Sequence, residues 1–290
     1  MPPVLNSLGV PPVVPPPPDV APEAARPPRP VDFSATPALL LTHLVKAFGA
    51  KVAVNDLSLA VPPGCLFGLV GPNGAGKTTT LSMVTGLLRP DQGAISVLGH
   101  DVWHDPAAAK ALMGVLPDGM RLFDRLTGRE MLMLTGQLRG LPEAVVAPRA
   151  EALLDALDLS SDATTLVADY SAGMTKKIGL ACALVHNPAV VILDEPFESV
   201  DPVSGQAIRS ILNDLVDRGG TVVMSSHVME LVETLCDAVA VIAEGRILAL
   251  GGIDQVRAGK PLQQRFLELV GVHDVGKEAL AWLGHSSASS

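Results

Sequence analysis

The spacing of apolar side chains changes several times along the chain, and each change predicts a different kind of element. Alternation of apolar and polar residues predicts strands with one buried face, short apolar runs predict buried strands, and a period of about 3.6 predicts helices. The predicted strands are 39–45, 55–61, 65–70, 93–98, 190–193, 221–224, 239–243 and 246–250, and the predicted helices are 78–88, 127–138, 143–157, 171–186, 205–216 and 228–236. Because strands and helices alternate over most of the chain, we expect an α/β fold with a mainly parallel core sheet.

The same pattern divides the chain into regions. Twelve of the 25 prolines lie in residues 1–30, and proline favours an extended backbone over a packed core. Residues 1–37 are therefore predicted to form a Pro-rich disordered extension, residues 38–270 the main domain and residues 271–290 a tail. Residues 119–187 contain only predicted helices, which indicates an inserted helical subdomain. Its first helix opens with a capping box, Thr127 to Glu130.

Composition narrows the possible partners and location. The 290 residues carry a formal net charge of −9, and only 3% of them are aromatic. Both values argue against a nucleic-acid partner, which needs basic surface or stacking platforms. The three scattered cysteines, Cys65, Cys182 and Cys236, are interpreted as reduced core residues of a cytosolic protein. The apolar runs end well short of the roughly 18 residues that a membrane-spanning helix needs.

Residues 71–78, Gly-Pro-Asn-Gly-Ala-Gly-Lys-Thr, carry the strongest chemical signal. They fit the phosphate-binding loop pattern G-x-x-x-x-G-K-[ST] and lie between a predicted strand and a predicted helix. Glycines let backbone amides crowd around phosphate oxygens, and the helix directs its unpaired N–H groups at the anion. Lys77 is expected to reach the β- and γ-phosphates, and the Thr78 hydroxyl is expected to ligate Mg²⁺.

An acidic strand end supplies a second element of the site. The apolar run 190–193 leads directly into Asp194 and Glu195. Downstream of a phosphate loop, Asp194 is expected beside the Mg²⁺ ion, and Glu195 is expected to polarise the water that attacks the γ-phosphate. The alternative, a solvated acidic turn, is disfavoured by the phosphate loop upstream.

Five further segments resemble motifs of ABC ATPases, in that family's order. Residues 170–174, Tyr-Ser-Ala-Gly-Met, resemble the signature motif, usually Leu-Ser-Gly-Gly-Gln, and residues 199–201 resemble the D-loop. Residues 225–227, Ser-Ser-His, resemble the segment that carries the switch histidine. Residues 48–49, Phe-Gly, resemble the adenine-stacking loop, and residues 116–118, Leu-Pro-Asp, resemble the Q-loop. The resemblance covers about residues 38–270.

The resemblance implies a P-loop NTPase fold with an N-terminal antiparallel β-subdomain and the inserted helical subdomain. It also implies ATP and Mg²⁺ as cofactors and a dimer in which each subunit's signature helix contacts the other subunit's nucleotide. The implied catalytic residues are Glu195, His227 and Lys77, and the implied ATP-binding residues are Phe48, Gly71, Pro72, Asn73, Gly74, Ala75, Gly76, Lys77, Thr78 and Thr79. Ser171 and Gly173 would contact ATP across the dimer, Asp201 would couple the two sites, and Thr78, Asp194 and Asp118 would ligate Mg²⁺.

Asp118 stands where the family usually has the Q-loop glutamine. Aspartate is shorter and charged, so it can still ligate Mg²⁺ but repels phosphates once the metal has left. We therefore expect altered coupling to the partner rather than lost hydrolysis. Ala172 and Met174 also depart from the usual signature residues.

The resemblance leaves two functions open. One is an ATPase subunit that powers transport, in the export direction, through a separately encoded membrane permease, with the chain cytoplasmic and peripheral on the inner face of the membrane. The alternative is a soluble ABC-type ATPase that regulates a cytosolic partner. An exposed apolar groove near Arg121, Leu122, Phe123 and Leu126 favours the transporter, and a filled polar surface favours the regulator.

Overall fold

A computed structural model describes residues 26–271 as two β-sheets flanked by helices. The larger sheet has the strand order β10-β9-β3-β8-β7-β6, and all neighbouring strands are parallel except the edge pair β9 and β10. Its strands are β3 (Leu66–Val70), β6 (Met113–Leu116), β7 (Val190–Leu193), β8 (Thr221–Ser226), β9 (Ala238–Ala243) and β10 (Arg246–Gly252). This confirms the predicted α/β fold with a mainly parallel core sheet.

The smaller sheet is antiparallel and is formed largely by the N-terminal part of the domain. Its strand order is β2-β1-β4-β5, with β1 (Leu39–Phe48), β2 (Lys51–Val61), β4 (Gln92–Val97) and β5 (His100–Asp101). In the second half of β2, Leu57, Leu59 and Val61 are buried and the residues between them are less so, as the alternating pattern predicts for a strand covered on one face. The turn after β9 contacts this sheet, because the Asn55 amide donates to the Gly245 carbonyl at 2.9 Å.

Helices cover the sheets and fill the stretch predicted to be helical. Their bounds are α1 (Lys77–Val84), α2 (Pro106–Ala111), α3 (Gly128–Leu138), α4 (Glu143–Ala156), α5 (Ala172–Leu184), α6 (Pro202–Asp217), α7 (Met229–Leu235), α8 (Ile253–Arg257) and α9 (Leu262–Val270). The capping box at Thr127 and Glu130 is present at the start of α3, and Ser171 caps α5. Pro148 lies inside α4, which continues through it as one helix.

Some helices and strands were not predicted from the spacing of apolar residues. The edge strand β6 of the larger sheet has only four residues, one of them Gly114, and neither it nor the six-residue α2 was predicted. Within residues 26–271, no helix has the length and apolar character needed to cross a membrane. Cys65, Cys182 and Cys236 are all buried and free, and burial raises the pKa of Cys65 to about 12 and of Cys182 to about 11.

The Pro-rich segment contacts the domain at its C-terminal end. The Arg29 guanidinium lies 3.1 Å from the buried carboxylate of Asp237, and Arg26 pairs with Asp217 on α6. Residues 26–37 contain no helix or strand. The predicted disordered extension otherwise falls on residues 1–25, and the predicted tail on residues 272–290, both outside the described residues. The division into regions stays a prediction.

Candidate nucleotide-binding site

The phosphate loop connects the C-terminal end of β3 to the first turn of α1. Gly74 and Gly76 have φ values of +81° and +106°, which side-chain-bearing residues rarely adopt. A Cβ on Gly76 would lie 2.5 Å from the Ala53 carbonyl oxygen of β2, and a Cβ on Gly71 would lie 2.1 Å from the Ile242 carbonyl oxygen of β9. Glycine is therefore required at both ends of the loop by close backbone approach.

Lys77 begins α1 and points back into the loop. Its ammonium donates to the carbonyl oxygens of Gly71 at 2.7 Å and Pro72 at 3.2 Å. Burial lowers the pKa of Lys77, and the negative charges of Glu195 and Asp194 oppose that shift. The lysine is thus held as a buried cation at the place where a phosphate would lie.

The acidic end of β7 lies directly beside this lysine. Asp194 is buried and its Oδ1 accepts a hydrogen bond from Ser225 Oγ at the end of β8. The Glu195 carboxylate lies 3.8 Å from Lys77 Nζ and 3.0 Å from His227 Nδ1. Parallel neighbouring strands bring these groups to one edge of the sheet, which is where α/β proteins form their sites.

These residues surround a cleft of about 460 Å³ that also reaches Phe48. The Phe48 side chain is 52% exposed, so it is not the core residue that a lone phenylalanine usually is. The cleft is lined by Phe48, Lys51, Ala53, Asn73, Gly74, Gly76, Lys77, Thr78, Thr79, Asp118, Glu195, Glu198 and His227. The predicted loop residues Gly71, Pro72 and Ala75 belong to the same turn without lining the cleft.

The predicted signature and D-loop residues lie together but away from the cleft. Ser171 accepts the Met174 amide at the start of α5, and Asp201 accepts the Ser204 amide at the start of α6. A Cβ on Gly173 would lie 3.7 Å from Asp201 Oδ2, so the two helix starts are neighbours. None of these residues lines the cleft, an arrangement compatible with their predicted contact to a second subunit's nucleotide.

The oxygen atoms beside the phosphate loop fit a magnesium ion. Mg²⁺ usually binds through one or two carboxylates together with substrate phosphates and water. The Thr78 side chain lines the cleft, and the Asp194 carboxylate lies at the adjoining strand end. Asp118 also lines the cleft, but its Oδ1 accepts the Gly119 amide and lies 3.9 Å from Lys176 Nζ. The roles of Thr78, Asp194 and Asp118 as metal ligands stay predictions.

Four polar residues of the site were not predicted from the sequence. Lys51 and Glu198 line the cleft. The Ser225 hydroxyl donates a hydrogen bond to the Asp194 carboxylate and accepts one from the Glu195 amide. Lys176 donates to the Glu195 carbonyl oxygen at 2.9 Å. Successive lysines on a helix usually form a solvated face, but here the Lys176 side chain is only 17% exposed and Lys177 is buried.

The fold and the cleft define a P-loop NTPase with the strand order, loop and acidic strand end of a nucleotide-hydrolysing domain. Residues 54–198 match the ABC transporter family. A solved structure of the ATP-binding subunit of an ABC transporter superposes with a TM-score of 0.76 at 30% identity, covering 80% of this chain and 99% of that one. The chain belongs to the ABC transporter family, whose ATP-binding cassettes hydrolyse ATP to power transport.

Curated relatives of two kinds match the chain. The daunorubicin/doxorubicin resistance ATP-binding protein DrrA of Streptomyces peucetius is 36% identical, over 77% of this chain and 68% of the relative. The Nod factor export ATP-binding protein I of Burkholderia lata is 39% identical, over 78% of this chain and 71% of the relative. The ATP-binding cassette sub-family A member 7 of Rattus norvegicus is 43% identical over 76% of this chain, which spans only 10% of that relative.

Proposed function

We propose that the chain is the ATP-hydrolysing subunit of an exporter whose membrane permease is a separate polypeptide. The observation that carries the proposal is the Glu195 carboxylate, which lies beside both Lys77 and His227 at the mouth of the phosphate loop. The names of DrrA and the Nod factor export protein, both ATP-binding proteins of resistance or export, support the direction of transport.

In this proposal several side chains of the chain each have a separate role in ATP hydrolysis. The cleft holds ATP with its adenine against Phe48 and its phosphates in the loop formed by residues 71–78. A water attacks the γ-phosphorus and passes its proton to Glu195, while the bond from that phosphorus to the β–γ bridging oxygen breaks to give ADP and phosphate. Lys77 offsets the negative charge on the phosphates, and His227 orients the Glu195 carboxylate and contacts the γ-phosphate.

The proposal places Mg²⁺ at the Thr78 hydroxyl and the Asp194 carboxylate, where it would neutralise phosphate charge when bound. Two chains would close around two ATP molecules, because the residues at the starts of α5 and α6 lie outside their own cleft. Ser171 and Gly173 would then face the partner's nucleotide, and Asp201 would lie between the two sites. Hydrolysis would release the closed dimer and drive the permease.

One exposed aromatic residue is the candidate contact with the proposed membrane partner. Phe123, which follows the Asp118 loop, is 58% exposed, whereas Leu122 and Leu126 pack partly against the core. Single apolar residues are common on protein surfaces, so Phe123 is a candidate contact for a partner and does not amount to the expected apolar groove. The proposed location is the cytoplasmic face of the membrane, through contact with the permease.

The test uses Glu195→Gln, which is expected to bind ATP but to stall before hydrolysis. We would purify this variant with ATP from detergent-solubilised membranes and identify bound proteins by mass spectrometry. Recovery of a protein with several membrane spans supports the proposal, and Phe123→Ser in the same background should lose that protein while still binding ATP. Recovery of soluble proteins alone contradicts transport and favours the regulator.

A further inference from the structure

The Lys176 ammonium bridges two loops of the nucleotide-binding cleft. Lys176 lies in the second turn of α5, and its side chain is mostly buried. Its Nζ donates to the Glu195 carbonyl oxygen at 2.9 Å and lies 3.9 Å from Asp118 Oδ1. One cation thus contacts the loop that carries the proposed general base and the loop that carries the unusual aspartate.

The backbone at Glu195 needs such support. Its φ of +47° lies in the left-handed region, which is strained for a non-glycine residue. The Glu195 amide donates to Ser225 Oγ at 2.9 Å, and the Glu195 carbonyl oxygen accepts from Lys176 Nζ at 2.9 Å and from the Glu198 amide at 3.2 Å, so both backbone groups of the residue are bonded. Strained backbone at functional sites persists where surrounding contacts hold it in place. The hydrogen bond from Lys176 is charge-assisted and therefore among the stronger contacts available.

The second contact of Lys176 is with the charged side chain of Asp118. A carboxylate that lines the cleft would repel phosphate groups, and its Oδ1 lies within ion-pair distance of Lys176. The cation offsets that charge without itself lining the cleft. Lys177, the next residue on α5, has no such contact with Glu195 or Asp118 among the described interactions, so the arrangement is specific to position 176.

We propose that Lys176 is a positioning residue for ATP hydrolysis, holding Glu195 in its left-handed conformation and neutralising Asp118. The inference rests on the proposed hydrolytic role of Glu195 and deepens it. Lys176 acts through Glu195 and Asp118 rather than by touching ATP. Loss of its ammonium should therefore slow the chemical step by a larger factor than it weakens nucleotide binding.

The first experiment separates turnover from binding. In Lys176→Met we expect kcat to fall about tenfold or more, the consequence of losing one charge-assisted hydrogen bond. The dissociation constant of a fluorescent ATP analogue should rise by a smaller factor than kcat falls, and Lys176→Arg, which keeps the cation, should recover most of kcat. The matched control is Lys260→Met, which removes an exposed lysine paired with Glu268 and should change neither quantity.

A double-mutant cycle tests the contact with Asp118. Asp118→Asn and Lys176→Met share one ion pair, so their combined effect on kcat should be smaller than the product of the separate effects. Strictly multiplicative effects would remove Asp118 from the proposal.

A second measurement does not depend on turnover. Hydrogen exchange of the segment 194–200 should be faster in Lys176→Met than in the wild type or in Lys260→Met, with α5 itself unchanged. Unchanged exchange together with unchanged kcat overturns the inference. Wild-type protein that neither binds nor hydrolyses ATP overturns the proposed function instead, whereas normal wild-type turnover with an unaffected Lys176→Met variant overturns only the role of Lys176.

Discussion

Removing the Arg29 side chain should destabilise the whole domain, although Arg29 lies in a Pro-rich segment far from the cleft. The Arg29 side chain is 13% exposed and the Asp237 side chain only 3% exposed, and their charged groups lie 3.1 Å apart. The Arg29 guanidinium also donates to the side chain of Asn213 on α6. Arg29→Ala therefore leaves a buried carboxylate without its cation.

The loss of stability in Arg29→Ala depends on the hydrogen bonds that Asp237 keeps. Removing one partner of a buried ion pair costs about 3–5 kcal/mol. In the variant, Asp237 keeps the amide of residue 29 at 2.7 Å and the Leu66 amide at 2.8 Å. We therefore expect the low end of that range, about 3 kcal/mol, equivalent to a fall in Tm of about 6–12 °C.

The assay is thermal and urea unfolding followed by circular dichroism, with Arg26→Ala as the matched control. Arg26 and Asp217 are both nearly half exposed, so this surface pair is worth about 0–1 kcal/mol. The reasoning is refuted if Arg29→Ala is no less stable than Arg26→Ala, because the buried carboxylate would then not depend on Arg29.

Three further outcomes are expected. Gly76→Ala should abolish ATP binding, measured by equilibrium titration, since its Cβ would meet the Ala53 carbonyl oxygen at 2.5 Å; normal affinity would show that the loop can relax. Phe48→Ala should weaken ATP binding but not triphosphate binding, because only the adenine contact is lost, and equal loss for both ligands would disprove stacking. Burial lowers the pKa of His186 to about 4, with the charges of Arg139 and Arg149 adding to that shift. Since the unfolded chain binds the proton at higher pH, stability should fall as pH drops from about 6.5 to 4, and a His186→Gln variant that shows an equal fall in Tm would contradict this cause.

The fold could be predicted where one residue pattern determines one element. The apolar run into β7, the loop between β3 and α1, and the Thr127 capping box all signal their structure within a few neighbouring residues. The cleft was predictable for the same reason, because carboxyl ends of neighbouring parallel strands meet at one edge. Phosphate-loop residues and Glu195 were therefore identified without knowledge of the packing.

The contacts that escaped prediction join distant parts of the chain. Lys176 meets a carbonyl oxygen 19 positions away and Arg29 meets a carboxylate 208 positions away. A lysine on a helix and an arginine among prolines both have the pattern of solvated residues, and only the tertiary packing buries them. The short strand β6 was missed because four residues, including Gly114, show no clear period.

The central claim is that two chains form a dimer in which each ATP lies between the cleft of one subunit and the signature helix of the other. Sedimentation velocity of Glu195→Gln with ATP tests it most directly. We expect a dimer with ATP, a monomer without it, and a monomer with ATP when Ser171→Arg is added, because that side chain would block the partner's nucleotide. A Glu195→Gln variant that binds ATP with normal affinity and remains a monomer would contradict the account.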